Sequence, residues 1–188
     1  PQDLFRIGRN EVDFRASAHH GVLDLYRPLH VIGIAPAGVF SNFTLLRFDL
    51  SLVTLSLFLL GGLYFGLMAV IGTSRDRSLV LSVICFFAAG QLISETLRSF
   101  VAYAYPIHDV RLIAIAGFSL AFGLSIAFHI FRTFKTDNTL RWMSGLAGVS
   151  VLAILSTQGF DFKALIGMSV PLIGALLATG IWTYQGRS

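Results

Sequence analysis

Three polar side chains inside an otherwise oily tract, Gln91, Glu95 and Arg98, are the residues of this sequence best spaced for chemistry. Their i, i+4, i+7 pattern puts them on one face of a helix. On a helix rising 1.5 Å per residue from Leu79, Glu95 lies roughly 24 Å along and Arg98 roughly 28 Å. In a hydrocarbon layer about 30 Å thick, that is the outer third and the outer boundary. A charge held in lipid is costly, so it faces a bundle interior or water. Two readings stay open at this point. One is a polar cavity, open to the outside, that accepts a ligand. The other is a Glu95–Arg98 pair that neutralises itself one turn below the interface.

Other chemistries find no constellation. His129 stands alone near the inner end of its helix, and bis-histidine haem ligation needs a facing partner at similar depth. His108 falls in an outer connection, and His19, His20 and His30 belong to the N-terminal region. No lysine lies mid-span, which excludes a retinal Schiff base; Lys163 is at a helix end. The single cysteine, Cys85, sits in an apolar run, allows no disulfide framework and reads as a small core residue. Cys/His metal spacings, phosphate loops, an intramembrane serine–histidine pair and paired mid-span aspartates are all missing from the sequence. His108, Asp109 and Arg111 read as a solvated loop. The expectation is therefore no catalytic residue, no metal and no cofactor in these residues.

The elements that carry these side chains follow from composition. The 188 residues are 55% hydrophobic and 13% charged, with a mean hydropathy of +0.74; a soluble domain carries about 25% charge. That excludes an ordinary soluble enzyme, a disordered tail and a nucleic-acid-binding domain. The net charge of +4 needs no polyanionic partner, because membrane proteins collect Lys and Arg on cytoplasmic loops.

Crossing a bilayer takes about 20 apolar residues, and five stretches qualify: about 49–72, 79–105, 112–131, 140–157 and 162–184. The polar connections between them, 73–77, 106–111, 132–138 and 157–161, are tight enough to make successive helices antiparallel neighbours. Small-xxx-small pairs mark close helix contact in lipid: Gly62 with Gly66, Gly117 with Ala121, Gly123 with Ala127, Ser144 with Gly148, and Gly174 with Ala178. Pro171, at the centre of the fifth stretch, removes a backbone donor and is a hinge or bend candidate.

Residues 1–48 follow a different pattern. Val12, Phe14 and Ala16 alternate with Glu11, Asp13 and Arg15, the period of a half-buried strand. Residues 22–26 and 29–34 are further strand candidates. Three short strands cannot close a core of their own, so 1–35 is expected to be the C-terminal part of an exported β-rich domain. Residues 36–48 then form an interfacial connector, a helix resting on the membrane surface.

Charge sets the orientation. With the N-terminus outside, the inner connections hold Arg75, Arg77, Arg132, Lys135, Arg141 and Arg187. The outer ones hold Arg111 and Lys163, with Arg47 and Arg98 close by. Folded exported segments escape the charge rule, so the loops place the C-terminus inside. Tyr103 and Tyr105 then mark the outer boundary, and Trp142, Trp182 and Tyr184 the inner one.

Taken together, the approach GRNEVDFRASAHHGVLDLYRPLHVIGI, the entry LFLLGGLYFGLMAVI and the following SRDRSLVLSVICFFAAGQLI resemble the bacterial seven-transmembrane receptors with diverse intracellular signalling modules. The resemblance covers most of the chain through compositional and positional features. It implies an all-α bundle with five of seven spans present, preceded by the end of an exported β-sandwich. It also implies a bacterial inner-membrane location, a homodimeric full-length receptor, a small-molecule or carbohydrate stimulus, and a cytoplasmic diguanylate cyclase or histidine kinase on residues beyond Ser188. No such output domain is in this sequence, so no enzymatic activity is expected of it. Two rivals remain: a transporter or membrane-complex subunit with a pathway at Gln91, Glu95 and Arg98, and a membrane enzyme acting on a lipid.

Overall fold

The computed structural model describes residues 37–72, 74–100, 105–134, 138–157 and 160–184, with the side chains of 37–44, 47, 98–99, 105–106 and 160–161 excepted. The described chain is all helical: α1 (Ala37–Ile71), α2 (Arg75–Phe100), α3 (Tyr105–Thr133), α4 (Thr139–Ser156) and α5 (Phe160–Tyr184). Each contains a stretch long and apolar enough to cross a bilayer: Phe48–Ile71, Arg75–Leu97, Ile107–Thr133, Thr139–Ser156 and Phe162–Tyr184. This is a multi-pass membrane protein. The strands expected within residues 1–35 lie outside the described residues.

The distribution of side chains is that of a bundle in lipid. Leu57, Leu60 and Val70 are 65%, 64% and 83% exposed, while most of the interior is small residues such as Ala89, Ala127, Ala175, Ser119 and Ser150, with Leu112, Ile115 and Phe131 among them. An apolar surface of this extent is foreign to a soluble monomer. In hydrocarbon, large side chains gain nothing by turning inward, whereas small ones let backbones approach. Many hydroxyls within the spans bond back to their own helix, as Ser94 does to the Gly90 carbonyl and Thr179 to that of Ala175, so few polar groups face lipid unpaired.

Three boundaries differ from the sequence expectation. Residues 37–48 are not a separate surface element but the start of α1, whose 35 residues form one helix, roughly 52 Å long and so longer than the hydrocarbon it crosses. Residues 107–111, expected as part of a loop, are the first turns of α3. Pro106 is no obstacle there, since its missing N–H would have no helical partner so near the start. At the other end of α2, Arg75, Asp76 and Arg77 are helical rather than looped.

The helices do not pack in simple chain order. α1 packs on α2, α2 on α3, and α3 on α5, with α4 against α5 and, less closely, α3. Among the described residues α1 touches α2 alone, which leaves it at the edge. The two ends of the bundle differ in charge. Among the described residues, the end where α2 begins carries Arg75, Arg77, Arg132 and Arg141 against Asp76. At the opposite end Arg47, Arg98, Arg111 and Lys163 are balanced by Asp49, Glu95, Asp109 and Asp161.

Candidate functional site

The polar face of α2 is a hydrogen-bonded surface. Gln91 Nε2 donates to Glu95 Oε1 at 3.2 Å, the i, i+4 contact its spacing implies. Glu95 is exposed on the bundle, so it does not line an enclosed space among the five helices. Arg111 of α3 reaches across to the backbone carbonyl of Glu95 at 3.3 Å, tying α2 to α3 without using the carboxylate. The side chain of Arg98 lies outside the described residues.

A second arrangement joins α1 to α2. The Ser82 hydroxyl donates to the Gly62 carbonyl at 2.7 Å, buried between the helices. A Cβ at Gly66 would stand 3.2 Å from Ser82 Oγ, and one at Gly62 3.2–3.3 Å from the Phe86 ring. The Gly62–Gly66 groove therefore receives Ser82 and Phe86. One residue earlier, a Cβ at Gly61 would lie 3.4 Å from Cys85 Sγ. Ser78 lies one turn before Ser82, and Ser78, Ser82 and Cys85 form a small-residue pattern on α2 that is legible in the sequence.

The backbones of α3 and α5 approach closely at Gly123. A Cβ at Gly123 would stand 2.7 Å from the Met168 carbonyl oxygen and 3.0 Å from that of Gly167. Pro171 has no N–H for the Gly167 carbonyl, so the helix runs on through a residue that frees an acceptor facing Gly123. Pro171 itself is fully buried, and α5 continues through it. Gly174 lies against Leu146 of α4. Gly117 and Gly148 differ from these: a Cβ on either would meet nothing within 4 Å, so their faces are turned away from the neighbouring helices.

At the opposite ends of the helices lie two further ties. Lys163 Nζ donates to the Ile154 carbonyl at 2.9 Å, satisfying one of the last-turn carbonyls of α4 that have no helical donor. At the end where α2 begins, the Phe131 and Trp182 rings meet at 5.6 Å and those of Trp182 and Trp142 meet edge to face at 5.2 Å, joining α3, α5 and α4. Tyr184, the last described residue, is 94% exposed. Beside this cluster a cleft of about 450 Å³ opens between the start of α2 and the end of α3, lined by Arg75, Asp76, Arg77, His129 and Arg132 with Ser74 and Thr133.

No group of three or more His, Cys, Asp or Glu side chains with metal-holding geometry occurs among the described residues. His129 lines the cleft but has no second histidine beside it there. Comparison of the chain with family models, with curated proteins and with solved structures finds no match.

Proposed function

We propose that the chain is the membrane-embedded signal-transduction module of a bacterial receptor. In this reading it sits in the inner membrane with its N-terminus periplasmic. Residues 1–35 complete an exported sensor domain, and two further spans and a cyclase- or kinase-type output domain follow.

The observation that carries the reading is α1. It is one continuous helix from Ala37 to Ile71, so a displacement at its first turn arrives at its last without an intervening hinge. Among the described residues it rests on a single neighbour, through a groove of small side chains. Helix shifts of about 1–2 Å at such contacts are a common switching motion, and a helix held on one side has the fewest contacts to remake. A stimulus drives the shift only through its difference in affinity for the two arrangements. The excess of Lys and Arg at the end where α2 begins supports a cytoplasmic position for that end.

The test is made in the full-length gene product in its own membrane, with α1 free and with α1 locked to α2 through a Gly61→Cys disulfide to Cys85. Output, read as cyclic dinucleotide synthesis or autophosphorylation, is expected to respond to changes in residues 1–36 only when α1 is free. A response unaltered by the lock contradicts the reading, as does the absence of both activities.

A further inference from the structure

We infer that the cleft between the start of α2 and the end of α3 binds a phosphate-bearing anion, and its position favours the headgroup phosphate of an anionic phospholipid. The inference goes beyond the signalling reading and rests on it only for the cytoplasmic position of this end of the bundle.

Arg75, Arg77 and Arg132 line the roughly 450 Å³ space, together with the hydroxyl residues Ser74 and Thr133. The one carboxylate there, Asp76, has its Oδ2 3.0 Å from Arg132 Nη2. Arg132 is further steadied over the Phe128 ring at 5.8 Å. Among the described residues Arg75 and Arg77 have no such acidic partner. Two cationic side chains without an acidic partner therefore line a cleft that a third, Arg132, lines as well. Arginine presents planar, paired donors that match phosphate oxygens two at a time.

Location narrows the source. Arg75 opens one membrane-crossing stretch and Thr133 closes another, so the cleft lies at the level where hydrocarbon gives way to headgroups. Basic pockets between spanning helices on the cytoplasmic side are where acidic headgroups dock. Val80 forms the apolar part of the lining, on the side from which acyl chains would approach.

The full chain, purified in detergent, is titrated with phosphatidylglycerol and with phosphatidylcholine while bound lipid is counted by native mass spectrometry. In parallel its melting temperature is followed with inorganic phosphate. Phosphatidylglycerol is expected to bind in preference. The double variant Arg75→Gln/Arg77→Gln is expected to bind it about thirtyfold more weakly, the effect of two basic contacts near a membrane surface. Arg141→Gln, at the same end of the bundle but outside the cleft lining, is expected to leave binding unchanged. Asp76→Asn removes the opposing charge and is expected to tighten binding, a gain that misfolding cannot imitate. Stabilisation by inorganic phosphate, lost in the double variant and without lipid preference, assigns the same cleft to a soluble phosphate compound. The inference is overturned if neither probe binds, or if Arg141→Gln weakens binding as much as the double variant does.

Discussion

Arg132, in the last turn of α3, meets Asp76, in the first turn of α2, at 3.0 Å across 56 residues of sequence. The contact pins the start of one helix to the end of another at the basic end of the bundle. Its side chains are 46% and 74% exposed, so water and salt reach it and its energy is modest. The variants Asp76→Asn and Arg132→Gln are each expected to lower stability by about 1 kcal/mol or less. A double-mutant cycle on thermal melts in detergent measures the coupling. A coupling energy of zero would show that the pair holds nothing together.

Gly123 and Gly117 lie on the same helix and make opposite predictions. Gly123→Ala drives a methyl group into the Met168 backbone, which cannot move aside as a flexible side chain can. A loss of about 1–3 kcal/mol is expected from overpacking. Gly117→Ala meets open space and is expected to stabilise by roughly 0.5–1 kcal/mol through helix propensity. Melting curves of the two variants, side by side, check both signs.

Lys163→Met removes the donor from the Ile154 carbonyl while keeping an apolar stem of similar length. A cost of about 1.5–3 kcal/mol is expected, as for a hydrogen bond to a charged donor, and proteolysis in the connection between α4 and α5 should quicken. Unchanged melting and unchanged cleavage would count against the contact.

Ser119 is fully buried in α3 and its hydroxyl has no hydrogen-bond partner among the described residues. Ser119→Ala is therefore expected to be neutral or to stabilise by up to about 1 kcal/mol, because it removes an unpaired polar group. A clear loss of stability would mean that the hydroxyl serves a partner.

How much of this was legible in the sequence depended on the kind of signal. The five spans were, because about 20 apolar residues in a row have one stable solution in lipid. Their ends were less so. The polar residues 107–111 suggested a loop, yet polar side chains at a membrane boundary fit the first turns of α3 as well as a connection. The Gly62–Gly66 groove was visible as a spacing, but the same spacing at Gly117 and Ser144–Gly148 faces no neighbour. Membrane sequences are rich in small residues, and a one-dimensional pattern does not say which face meets another helix. The cleft joins Arg75 and Arg77 to Arg132, residues far apart in the chain, and the pairing of the α2 start with the α3 end is a tertiary fact. The exposure of Glu95, by contrast, reflects which way α2 is rotated, and no local feature encodes that.

The measurement that tests the account most directly is the sidedness of the helix ends. In a Cys85→Ala background, single cysteines at Ser74, Asn138 and Ile107 are exposed to a membrane-impermeant maleimide in right-side-out and in inverted vesicles. The account predicts that Ile107→Cys is labelled only from the outside, and that Ser74→Cys and Asn138→Cys are labelled only in inverted vesicles. Labelling of all three positions from the same side would contradict it.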